Sequence, residues 1–74
     1  MKLTSASKNT PLIIVKIENS PYKAKLYELG IIEGKRIIWE LSAAFSGPIA
    51  INCDDSLISL RKEDADLIHV EKTN

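Results

Sequence analysis

Every apolar run in this 74-residue chain is short. Leu12 to Glu18, Lys35 to Leu41, Pro48 to Cys53, Ser56 to Arg61 and Leu67 to Glu71 are rich in Ile, Val and Leu, and none is longer than seven residues. Gly, Pro, Asn, Asp or Ser separates most of them. Apolar residues that alternate over so few positions fit half-buried strands, because successive strand side chains point to opposite faces. In the first run Ile13, Val15 and Ile17 fall on one face; in the second, Ile37, Trp39 and Leu41 do; in the third, Ile49, Ile51 and Cys53. Ile58 and Leu60, then Ile68 and Val70, continue the pattern. Five short strands in so small a chain predict a closed β-barrel, since closure removes the sheet edges that would otherwise pair with other chains.

One segment breaks the strand rhythm. Asn19-Ser20-Pro21 reads as a helix start, with Ser20 capping free N–H groups and Pro21 in the first helical position. Tyr22, Leu26 and Leu29 then recur at i, i+4 and i+7 as one apolar stripe. Gly30 is placed to end the helix in a left-handed conformation, and Gly34 sits in the turn that follows. The helix is too short to stand alone and must lie against the barrel. Asp54-Asp55 reads as a hairpin turn, Ser42 to Gly47 as a loop bearing Phe45, and Lys62 to Ala65 as a 3₁₀ turn. Residues 1–9 read as a flexible tail with a turn around Leu3, residues 10–71 as the domain and 72–74 as a frayed end.

Composition narrows the function. Lys+Arg and Asp+Glu are 10 each, so the chain is formally neutral, which disfavours a basic nucleic-acid binder. Residues 1–37 carry seven basic and three acidic side chains, net +4, and residues 38–74 three and seven, net −4. A single Cys53 cannot form an internal disulfide and fits a reducing compartment. No apolar run reaches the roughly 18 residues of a membrane span, and no secretory signal is visible. The expectation is a cytoplasmic protein without membrane insertion. Gly30, Gly34 and Gly47 match neither a P-loop nor a dinucleotide fingerprint. One Cys and one His cannot make a zinc site of Cys/His type, and Cys53 with His69 lacks a third, orienting group, so no enzyme is expected.

The ordered set Leu26, Leu29, Gly30, Gly34, Gly47, Pro48, Leu60, Arg61, Asp64, Ala65, Ile68 and Val70 resembles the FeoA family over residues 10 to 71. Glu33 stands where that family often has proline, and the family's Leu-x-x-Leu lead-in is not recognisable before residue 10. The resemblance implies an SH3-like barrel of about five strands with one short helix after the first. It also implies a non-enzymatic accessory role in ferrous iron uptake, through contact with the cytosolic side of an FeoB-type transporter.

Leu29, Ile31, Ile32 and Phe45 are the candidate partner-binding residues, because they bring apolar side chains to a helix end and a loop. Two alternatives stay open on the residues alone. Asp64, Asp66 and His69 could supply oxygen and imidazole ligands to Fe²⁺ as a metal-responsive module. Trp39 near Arg36 could serve a small nucleic-acid-binding barrel, which needs an aromatic platform beside a cation.

Overall fold

The computed structural model, which describes residues 1–42 and 47–73, turns the five alternating runs into five strands. They are β1 (Pro11–Ile17), β2 (Arg36–Ser42), β3 (Ile49–Cys53), β4 (Ser56–Leu60) and β5 (Ile68–Lys72). A helix α1 (Lys23–Glu28) follows β1, and a one-turn helix α2 (Lys62–Ala65) joins β4 to β5. That last turn is α-helical, where 3₁₀ geometry was expected. The strands form one antiparallel sheet in the order β4-β3-β2-β1-β5, curled into a small SH3-like barrel.

The inner face holds the core: Leu12, Ile14 and Ile17 of β1, Ile37 of β2, Ile49, Ile51 and Cys53 of β3, Leu60 of β4, and Ile68 and Val70 of β5. Leu3, Leu26, Ile31 and Ala65 fill the openings from outside the strands. Each fully buried Leu or Ile contributes about 1.5–3 kcal/mol by leaving water. A domain this small therefore depends on nearly every one of them.

Two irregularities decide which side chains point inward. The β1–β5 register shifts between Ile14 and Lys16. Leu12 and Ile14 face the core before the shift and Ile17 after it, so the expected inward row Ile13, Val15, Ile17 is wrong at its first two members. Val15 is 44% exposed. The β2–β3 register shifts likewise between Trp39 and Leu41. Leu41, expected inside with Ile37 and Trp39, is turned out and is 62% exposed. A one-residue bulge reverses the pleat, and simple alternation cannot follow a strand through it.

The N-terminal residues are not a tail. Leu3 is fully buried within a 3₁₀ turn, Leu3–Ser5. The Val70 N–H donates to the Met1 carbonyl at 2.8 Å, and the Met1 amino group donates to the Val70 carbonyl at 3.1 Å. Lys2 bridges His69, and the Thr4 hydroxyl donates to Asp66 at 2.6 Å. The segment thus lies along β5 as a short extra strand. Its polar sequence hides this, because one buried leucine has no period to read.

At the opposite side of the sheet, Asp54 and Asp55 take φ of 53° and 63°. Two successive left-handed residues make the turn whose twist suits a two-residue hairpin, and Asp tolerates that conformation.

Candidate partner-binding surface

The end of α1 shows how local sequence sets the candidate surface. Gly30 has φ +90°, a conformation costly for any residue with a Cβ. The Gly30 N–H donates to Tyr27 O and the Ile31 N–H to Leu26 O, both at 3.0 Å. These are the two reverse bonds of a Schellman motif, in which the residue after the glycine packs back on the helix. Ile31 is that residue, and both it and Leu26 are buried. Ile31 therefore belongs to the core, and its expected role in partner contact is corrected. The signal was present in Leu26-x-x-x-Gly30-Ile31, read as a capping motif rather than as a turn.

Leu29 and Ile32 do reach solvent, at 40% and 39% exposure. Two tyrosines join them: Tyr22, expected on the inward stripe, and Tyr27, at 50% and 40%. A helix of six residues lays one side chain, Leu26, into the core, so the rest of its apolar residues face outward. Tyr27 is also fixed in place. Its hydroxyl donates to Glu33 at 2.8 and 3.0 Å, and the Lys23 ammonium stands 5.7 Å from its ring centre. The Glu33 carboxyl is held below its ordinary range, first by its own backbone N–H and then by this hydroxyl. The bond to Glu33 in turn raises the Tyr27 phenol. The helix starts later than Ser20-Pro21 suggests: its N-cap is Tyr22, without a side-chain cap, and the Ser20 Oγ accepts from the Tyr22 N–H at 3.0 Å in the turn before it. Phe45 lies outside the described residues.

The three metal candidates are not brought together. Asp64 accepts from Arg61 at 3.1 and 3.2 Å, Asp66 accepts from Thr4, and His69 Nε2 lies 2.7 Å from Glu18. Each ligand type is already engaged by a different neighbour. Among the described residues no group of three His, Cys, Asp or Glu side chains is placed to hold a metal ion. Cys53 is buried in β3 with its thiol 3.7 Å from the Gly30 carbonyl, and burial pushes the thiol up, away from a reactive thiolate. Trp39 is half-buried against the core and donates its Nε1–H to Leu41 O at 3.0 Å. Arg36 points to the other face of β2, so the two do not form a stacking platform.

The structure is a small SH3-like barrel that presents apolar and aromatic side chains around a helix end. The chain belongs to the FeoA family, a family of the ferrous iron transport machinery: the FeoA domain model matches residues 1–72. The family is non-catalytic, and this chain is not an enzyme. The match includes the N-terminal residues that the structure places along β5. Among solved structures, the chain is 34% identical to iron(II) transport protein A from Clostridium thermocellum, with a TM-score of 0.90, covering 97% of this chain and 45% of that one. It thus spans less than half the length of that protein. An FeoA-like protein from Clostridium acetobutylicum is 27% identical with a TM-score of 0.86, covering 97% of this chain and 85% of that one. The zinc-complexed FeoA of Stenotrophomonas maltophilia, 18% identical over 96% of this chain and 89% of that one, shares the fold with a TM-score of 0.81. No curated protein matches the chain. Among the described residues no helix is long and apolar enough to cross a membrane.

Proposed function

We propose that this protein is a cytosolic accessory protein of ferrous iron uptake that binds and modulates an FeoB-type transporter. The observation that carries this reading is the FeoA domain spanning residues 1–72. The likeness to an iron(II) transport protein at 34% identity supports it. The contact surface is the end of α1: Leu29 and Ile32, flanked by Tyr22 and Tyr27, with Phe45 added on sequence grounds. Small barrels bind partners through such loop-and-helix ends, where exposed aromatic side chains contribute contact area at low entropic cost.

The test is a pull-down against the cytosolic part of the host's FeoB-type transporter, with and without nucleotide. Saturable binding that Ile32→Asp and Leu29→Asp abolish, in variants shown to be folded, supports the reading. Normal binding by both variants removes this surface, and no binding to the cytosolic part or to the whole transporter removes the adaptor role. Dependence on nucleotide would indicate that the protein senses the transporter's nucleotide state.

A further inference from the structure

β4 is an edge strand, and among the described residues its only paired neighbour is β3. The two-residue turn Asp54-Asp55 makes Cys53 and Ser56 the closing pair of the hairpin, which is hydrogen-bonded. Alternation from that pair directs the backbone groups of Ser56, Ile58 and Leu60 toward β3. The N–H and C=O groups of Leu57 and Ser59 therefore point away from the sheet. Among the described residues nothing blunts this edge. The β3–β4 register runs without a shift, Ser56 to Leu60 includes neither lysine nor proline, and Ser56, Leu57 and Ser59 are all exposed. Monomeric proteins guard such an edge with charge, proline or a bulge.

The charges lie beyond the strand ends, and their order is self-complementary. Asp54 and Asp55 precede β4, Arg61 and Lys62 follow it, and both pairs are centred on Ile58. Two copies laid antiparallel about a two-fold axis at Ile58 bring the acidic Asp54-Asp55 turn of each copy to the basic Arg61-Lys62 end of the other. The same register sets Leu57 of one copy opposite Ser59 of the other, so the outward backbone groups of each find their partners. A slide of one residue presents inward-directed groups instead. A slide of two keeps the hydrogen bonds and moves the acidic turn of each copy away from the basic end of the other.

The side chains have room for these contacts. Arg61 uses Nε and Nη2 for Asp64, which leaves Nη1, and Asp54 receives Lys35 on Oδ2, which leaves Oδ1. Stacking over Tyr22 at 4.9 Å holds the Arg61 guanidinium beside the strand end. On the outer face Leu57, 61% exposed, meets the Leu57 of the second copy on the diagonal.

We propose that β4 is a pairing edge through which two copies of this chain form a continuous sheet, antiparallel and centred on Ile58. One strand pair buries little surface, so the dimer is weak and concentration-dependent. The inference does not rest on the transporter reading and is tested without a transporter.

The experiment is sedimentation velocity over a concentration series up to about 1 mM, where a contact of roughly 4 kcal/mol is half-formed. The expected result is a monomer–dimer equilibrium. Ser59→Pro removes an outward N–H that β3 does not use and should abolish the dimer while the circular dichroism of the fold is kept. Lys62→Glu, which leaves the strand untouched, should weaken the dimer about fivefold, the effect of reversing exposed ion pairs. The register is read by disulfide formation: a mixture of Leu57→Cys and Ser59→Cys chains should cross-link faster than either alone, with buried Cys53 left in place. A monomer at every concentration overturns the proposal. So does a dimer that Lys62→Glu leaves unchanged, or one whose cross-linking shows no preference for the mixture.

Discussion

The two edges of the sheet are treated in opposite ways. The outward groups of Val70 on β5 are taken by the Met1 backbone, and Leu3 is driven into the core beside them. The β4 edge has no such cover among the described residues. The same chain thus spends five N-terminal residues closing one edge and none on the other. Edge protection is therefore not a general property of this barrel. It is applied at β5, where the two ends of the chain meet, and withheld at β4, where the charges are ordered for pairing.

The largest test of that contrast is Leu3→Ala set against Leu57→Ala. Leu3 is fully buried and Leu57 is 61% exposed, although both are leucines beside an edge. Urea denaturation should show a loss of about 2–5 kcal/mol for the first. For the second it should show a change within about 0.5 kcal/mol, in dilute samples where β4 is unpaired. Equal effects would mean that residues 1–5 are not part of the fold. The same reasoning separates neighbours at the end of α1. Ile31→Ala should cost about 2–5 kcal/mol, and Ile32→Ala under about 1 kcal/mol, measured the same way.

Gly30→Ala comes next. Apart from its chain neighbours nothing lies within 4 Å of the position an added Cβ would take, so the cost is that of a left-handed backbone alone. It should be about 1–2 kcal/mol. A neutral result would mean that the helix end relaxes out of the Schellman geometry, and the Ile31 amide would then exchange freely.

The smallest effect is electrostatic and lies at the covered edge. The hydrogen bond from His69, with the charge of that side chain and of Lys2 and Lys16, holds the Glu18 carboxyl below its usual value of 4.5. A carboxyl depressed in the folded state stabilises the fold above its unfolded value, and this contribution disappears as pH falls through the folded one. Urea midpoints should therefore decline as pH drops below 4.5, and Glu18→Gln should flatten part of that decline. An unchanged slope would show that the pair contributes nothing to stability.

The sequence was a good guide wherever a period ran uninterrupted. Ile49, Ile51 and Cys53 face inward as alternation requires, Gly30 takes the left-handed backbone its place at the helix end predicts, and Asp54-Asp55 forms the hairpin turn. It misled where one residue resets the phase. Val15 and Leu41 lie just beyond the positions at which bulges reverse the pleat, and no residue type there announces a bulge. Leu3 gives no signal, because a lone buried leucine among polar neighbours has no pattern. Of the candidate surface, Leu29 and Ile32 were legible. Ile31 was not separated from them, because its burial follows from a capping geometry and not from helical spacing.

The most direct measurement is amide hydrogen exchange, read residue by residue at low and high protein concentration. The Val70 amide, bonded to the Met1 carbonyl at 2.8 Å, should be protected at both. The Leu57 and Ser59 amides should exchange quickly in dilute solution and become protected as concentration rises. Protection of Leu57 and Ser59 in the dilute monomer, or fast exchange at every concentration, would contradict pairing at the β4 edge.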